Sequence, residues 1–279
     1  MPIHDQGYRR YGGARAPLGR AWIVIARTGV QTLLKRRAFL GLLLLAWVPF
    51  LVRSVQIYAA VHFPQAAFFA PTPSMFRQFL EQQEAFLFFV TVYAGAGLIA
   101  NDRRANALQI YLSKPLARYE YILGKLAVLA VFLLFVGWLP AVLLLVVQVM
   151  FSGSFSFFTA NLNLLPAITV FSIVQVLAIG SAMLALSSLS NNSRFVGLLY
   201  TGLVFFSQAM WLVLLAVTRD WTFSWISMPG SLNQVGDFIF GLPLRAQSPL
   251  SMSVLVIGLL VAASGVVLDR RTRGVEVVK

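Results

Sequence analysis

Six apolar runs of membrane-crossing size constrain this chain more than any other feature. A helix needs about 20 apolar residues to cross a hydrocarbon core of about 30 Å. Runs of that order stand at Ala38–Ile57, Ala85–Ala100, Ile122–Met150, Leu165–Leu189, Phe195–Val217 and Leu250–Leu268. None shows the two-residue alternation of a barrel strand. The expected fold is therefore all-α, a polytopic membrane protein with six transmembrane helices. Composition points the same way: 59% hydrophobic and 11% charged residues exclude a disordered chain, and the absence of Cys excludes a disulfide scaffold. The second run is short and the third long, which implies unequal tilt or continuation outside the bilayer.

The net charge of +13 would suggest nucleic acid if it lay on one soluble patch. Its placement is topological instead. With the start of the chain in the cytoplasm, 18 of the 22 Lys and Arg fall on the inner side. They lie before the first span, between spans two and three, at Arg194 and in the tail. The outer loops hold Arg77, Arg219 and Arg245, and Arg53 lies inside the first span. Such a bias predicts both termini inside and leaves no need for a nucleic-acid partner. The long charged stretch before the first span is unlike a cleaved signal peptide. Between Pro17 and Arg37, Leu18, Trp22, Ile25, Ala26, Val30 and Leu33 recur at helical spacing opposite Arg20, Arg27, Gln31 and Lys35. This pattern predicts an N-terminal interfacial helix.

Residues able to carry chemistry are few. His4 and His62 are the only two histidines, too few for a His-based metal cage, and Asp220 and Asp237 are isolated in sequence. Gly124-Lys125 lacks the rest of a phosphate loop: Tyr119 replaces its first Gly and Leu126 its hydroxyl residue. Glu81 and Glu84 read as the solvated face of a short outer helix. Gln175 and Gln208, near the middles of spans four and five, either face a transport pathway or hydrogen-bond between helices. Small residues in span four (Ala178, Ser181, Ala182, Ala185, Ser188) and the run Ala94-Gly95-Ala96-Gly97 mark faces for close helix packing. Pro49, Pro140 and Pro166 are expected to kink or start helices. The apolar stretch Thr218–Pro249, with Trp221 and Trp225, is expected at the outer membrane surface.

The connection between spans two and three carries the most information. Asp102 falls near a helix N-terminus, where it favours the helix dipole. Ala105, Leu108, Ile110, Tyr111 and Leu112 offer an apolar surface beside Arg103 and Arg104. Ser113 can cap a new helix with Pro115 in its first turn, running through Tyr121 into span three. Two stiff pieces tied to two spans make a lever at the membrane surface; the alternative is a surface connector without a partner.

Gly97, Asp102, Leu112, Ser113, Pro115, Arg118, Gly124 and Lys125 together resemble a recurrent stretch in permease subunits of type 2 ATP-binding-cassette (ABC) transporters. The segment departs from that family at Asn106-Ala107-Leu108, where members often carry Gly-Thr-Leu. The resemblance implies a dimeric permease, homo- or heterodimeric, in the plasma (inner) membrane. Two separate cytoplasmic ATPase subunits would energise it, each gripping a coupling helix between spans two and three. Asp102, Arg103, Arg104, Leu108, Tyr111, Leu112, Ser113, Pro115 and Arg118 become the expected coupling residues. ATP and Mg are expected in the partner, with no cofactor, metal or catalytic residue in this chain. Residues 1–16 read as a flexible basic tail and 17–279 as a single transmembrane permease domain, that of an exporter. The competing function is a nonenzymatic membrane assembly or scaffold factor; an intramembrane enzyme is disfavoured by the shortage of His, Cys and paired carboxylates.

Overall fold

A computed structural model describes residues 21–65, 70–107, 118–244 and 248–272. The described residues are helical throughout, with turns between helices and no strand among them. Six helical segments are long and apolar enough to cross a membrane, the layout of a multi-pass membrane protein. Span 1 is Arg37–His62, span 2 Pro73–Arg104, span 3 Arg118–Ser152, span 4 Leu164–Leu189, span 5 Ser193–Thr218 and span 6 Leu250–Arg271. Because successive spans reverse direction, one end of the bundle gathers Arg36, Arg103, Arg118, Arg194 and Arg270. This basic end is opposite a far end formed by the segments after spans 1, 3 and 5.

Two spans are broken where the sequence denies them a hydrogen bond. Span 1 divides at Trp47, with Pro49 in the first turn of its second piece, Val48–His62. Proline has no N–H for the preceding turn and its ring crowds that turn. The buried Gln83 Nε2 donates to the Ala46 carbonyl at this break, at 3.1 Å. Span 3 divides at Gly137, again with a proline, Pro140, just inside the second piece, Trp138–Ser152. Pro166 lies in the first turn of span 4, where a missing N–H costs nothing.

Span 4 is the axis of the bundle. Within its most apolar window 72% of residues are buried, against 6% in span 5. Its small residues Ala178, Ala182, Ala185 and Ser188 are buried within the chain, so this face packs inside the subunit. Span 2 crosses it closely: a Cβ on Gly95 would stand 2.4 Å from Met183 Cγ. Spans 1, 5 and 6 are peripheral and expose Leu44, Val55, Phe205, Phe206, Val217 and Leu259, as lipid-facing helices do.

Span 2 is the main correction to the expected layout. It does not begin at Ala85; its helix starts at Pro73 and reaches Gly95 before a turn leads into Ala100–Arg104. Glu81 and Glu84 therefore lie within this helix, not on a separate outer one. Arg77 is no loop residue, since its side chain is fully buried. Polar residues lower the hydropathy of this first half, and only neighbouring helices make it an interior segment.

Ahead of span 1, a leading helix, Ala21–Leu34, packs on the first half of span 3. Two glycines allow the contact: a Cβ on Gly29 would meet Val128 Cγ2 at 2.5 Å, and one on Gly124 would meet Ile25 Cβ at 2.8 Å and the Trp22 carbonyl oxygen at 3.0 Å. At the far end, the segment after span 5 forms a 3-10 turn, Trp221–Ile226, and a helix, Met228–Ile239. The Asp220 carboxylate caps the turn by accepting from Thr222 N at 2.9 Å, and Ser227 Oγ caps the helix by accepting from Gly230 N at 3.0 Å. Met228, Leu232 and Val235 are buried against the spans, while Trp221 and Phe238 remain exposed.

Candidate functional site

At the basic end the short helix Ala100–Arg104 sets Asp102 opposite the start of span 3. The Lys125 ammonium lies 2.6 Å from Asp102 Oδ2, and the buried Tyr121 hydroxyl donates to the same oxygen at 2.8 Å. The ammonium also stands 5.4 Å from the Tyr121 ring centroid. Asp102 thus joins span 2 to span 3 through a part-buried pair, a setting in which a charge-assisted bond holds geometry better than a surface pair does.

Span 4 is tied to the same place. Ser187 Oγ accepts from the Ile99 and Ala100 backbone N–H groups at 3.1 and 3.0 Å and donates to the Ala96 carbonyl at 2.9 Å. One hydroxyl thereby satisfies three backbone groups released by the turn at residues 96–99. The Arg103 guanidinium donates to the Ser188 carbonyl, at the end of span 4. Ala100–Arg104 is therefore tied by side-chain contacts to both span 3 and span 4.

Of the expected coupling residues, Asp102 and Arg103 are engaged in these internal braces, whereas Arg104 and Arg118 are exposed. Leu108, Tyr111, Leu112, Ser113 and Pro115 lie outside the described residues. The sequence pattern places Tyr121 in this connection but does not indicate its bond to Asp102, the pairing of Lys125 with Asp102, or the bracing by Ser187 and Ser188. The available signal was the spacing of Tyr121 and Lys125, four apart and hence on one helix face.

The two intramembrane glutamines are not brought together. Gln175 is buried in span 4 beside Ser172, Leu87, Leu133 and Gly137, and neither its Nε2 nor Ser172 Oγ has a hydrogen-bond partner among the described residues. Gln208 accepts from Ser227 Oγ at 2.5 Å and lines a separate cavity of about 300 Å³ with Trp211, Trp221, Asn233 and Asp237.

A second polar cluster, also unforeseen, closes the far end. Arg77 Nε lies 3.0 Å from Asp237 Oδ1, with side-chain exposures of 0% and 2%. The same guanidinium donates to the Asn233 carbonyl at 3.0 Å and to Asn233 Oδ1 at 2.6 Å, and its carbon sits 4.7 Å from the Phe171 ring centroid. Gly236 permits this approach, because a Cβ there would stand 2.6 Å from Arg77 Nε. The cluster pins the Met228–Ile239 helix to spans 2 and 4. Nearby, Gln234 Oε1 accepts from Ser248 Oγ at 2.6 Å and from Ser253 Oγ, joining that helix to span 6.

Among the described residues no three His, Asp or Glu side chains gather to hold a metal. In comparison with known proteins, no family model and no curated protein matches the chain.

Proposed function

We propose that this chain is the membrane-spanning permease subunit of an ABC transporter, an exporter energised by a separate cytoplasmic ATPase. One observation carries the reading: four of the family-like residues flanking the connection between spans 2 and 3, Gly97, Asp102, Gly124 and Lys125, converge on a single junction. Asp102 and Lys125 form its ion pair, both line one cavity together with Gly97, and Gly124 seats the leading helix. The departure from the family pattern also has a physical account. Asn106 adopts φ 51°, the left-handed region, where Gly is preferred and Asn is the best-tolerated substitute.

In this reading the basic end and both termini face the cytoplasm of a plasma-membrane protein, and the leading helix lies at the bilayer interface. The ATPase binds Leu108, Tyr111 and Leu112, with Arg104 and Arg118 around them and Ser113-Pro115 setting the angle between the two helical pieces. Its ATP and Mg stay in its own subunit. Nucleotide-driven movement enters at Ala100–Arg104 and passes through Asp102 to span 3 and through Arg103 and Ser187 to span 4. A second permease subunit, identical or homologous, completes the unit.

The test is co-purification of a soluble ATPase and stimulation of its hydrolysis. Truncating an aromatic anchor costs about 2 kcal/mol or more of binding, a rim charge less. Tyr111→Ala with Leu112→Ala is expected to abolish association while the protein still folds, and Arg104→Ala to give a milder, salt-dependent loss. Arg219→Asn, at the exposed far end, is the neutral control; Asn suits the φ of 56° there. Undiminished binding by the double variant removes the loop from the mechanism. Absence of any ATPase favours the assembly role.

A further inference from the structure

Between the leading helix, the end of span 2 and the start of span 3 lies a cavity of about 340 Å³. Its walls combine Ile25, Leu33 and Leu98 with hydroxyl-bearing Thr28, Thr32 and Tyr93, and its rim carries Arg36, Asn101, Asp102 and Lys125. Val24 also lines it and is 64% exposed on the flank of the leading helix, where Ile23 and Leu34 are exposed too. The cavity therefore opens sideways onto apolar surface as well as toward the basic end.

The charges at the rim are unequal. Lys125 and Asp102 offset each other at 2.6 Å, while Arg36 is exposed and has no carboxylate within ion-pair distance among the described residues. The net charge of the rim is thus one positive unit. A phosphodiester carries one negative unit and offers acceptors to a guanidinium. Basic pockets between membrane helices suit anionic headgroups for this reason. We infer that the cavity holds the phosphodiester headgroup of an anionic glycerophospholipid. Arg36 supplies the pairing cation, Lys125 and Asn101 supply further N–H donors, and an acyl chain lies along Val24 and the leading helix. Inorganic phosphate fits less well, because it would leave the apolar opening at Val24 uncovered. A zwitterionic lipid would bring an ammonium group to a rim that is already positive. The site does not depend on the transporter reading.

The test is native mass spectrometry of the purified full chain with phosphatidylglycerol or phosphatidylcholine of matched acyl chains. Phosphatidylglycerol should be retained selectively. Arg36→Gln should weaken retention roughly tenfold or more, as expected for loss of a charge-assisted bond. Arg37→Gln removes an adjacent exposed charge that does not line the cavity; its effect should stay below about fivefold, the contribution of a general surface charge. Thr28→Phe, which fills the cavity from an exposed position without changing charge, should also reduce retention. Equal effects of the two Arg variants, no effect of Thr28→Phe, or equal retention of phosphatidylcholine would each overturn the site. Displacement of the lipid by millimolar inorganic phosphate would overturn the lipid assignment in favour of a free-anion site.

Discussion

Replacing Arg77 with Met tests what holds the far end together. The substitution keeps much of the side-chain volume but removes the guanidinium that stands 3.0 Å from Asp237 and bonds Asn233 twice. Both members of the ion pair are almost wholly buried, so little solvent screening moderates the loss. Removing one partner of such a pair costs about 3–5 kcal/mol, and the retained apolar volume places Arg77→Met near the lower end, about 3 kcal/mol. Arg77→Lys should fall between, because a single ammonium cannot reproduce the planar fork that reaches both Asp237 and Asn233. Combining Arg77→Met with Asp237→Asn should cost less than the sum of the two, with a coupling energy of about 1–3 kcal/mol. The assay is reversible denaturant unfolding in mixed micelles followed by tryptophan fluorescence, with Trp221 and Trp225 beside the affected helix. A loss below about 1 kcal/mol for Arg77→Met, or a coupling below about 0.5 kcal/mol, would refute the latch.

Glycine substitutions should separate by sign: Gly124→Ala should destabilise by about 1–3 kcal/mol, because the backbone carbonyl of Trp22 cannot yield. Gly258→Ala, with open space around its Cβ, should instead gain up to about 1 kcal/mol, both read from the same unfolding assay. For orientation, a single Cys at the exposed Ser156 should react with an impermeant thiol reagent added outside cells, and one at Asn106 should not; labelling of Asn106 from outside reverses the topology. Gln234 is unsuitable as a reporter because it is buried in its serine network. The Asp220 carboxyl is held below the usual aspartate range, chiefly by the bond from the Thr222 N–H. Its capping contribution is therefore complete above the unfolded-state value and lost as pH falls through the lower native one. Trp221 fluorescence should report that acid transition, and Asp220→Asn, which caps without titrating, should remove it.

The six spans were legible because hydrocarbon demands long apolar helices whatever their neighbours. The breaks at Trp47 and Gly137 were anticipated by Pro49 and Pro140, since a missing N–H acts within one turn of the chain. Asp102 was singled out from its place beside an expected helix start. The span 2 boundary was misread because Arg77, Glu81, Gln83 and Glu84 resemble a solvated helix in one dimension. In three, Gln83 meets the broken carbonyl of span 1 and Arg77 meets Asp237 across the bundle.

By itself, then, the sequence determined the helical class, the number of apolar helices and the asymmetric distribution of charge. These are properties of single segments, set by transfer free energy and local hydrogen bonding. Tertiary structure alone decided that Asp102 would meet Lys125 and Tyr121, that Ser187 would gather the backbone groups of the span 2 turn, and that Arg77 would be buried. Each of these depends on the rotation and depth of one helix against another. A buried polar side chain reads as favourable or costly only once the partner that satisfies it is in place.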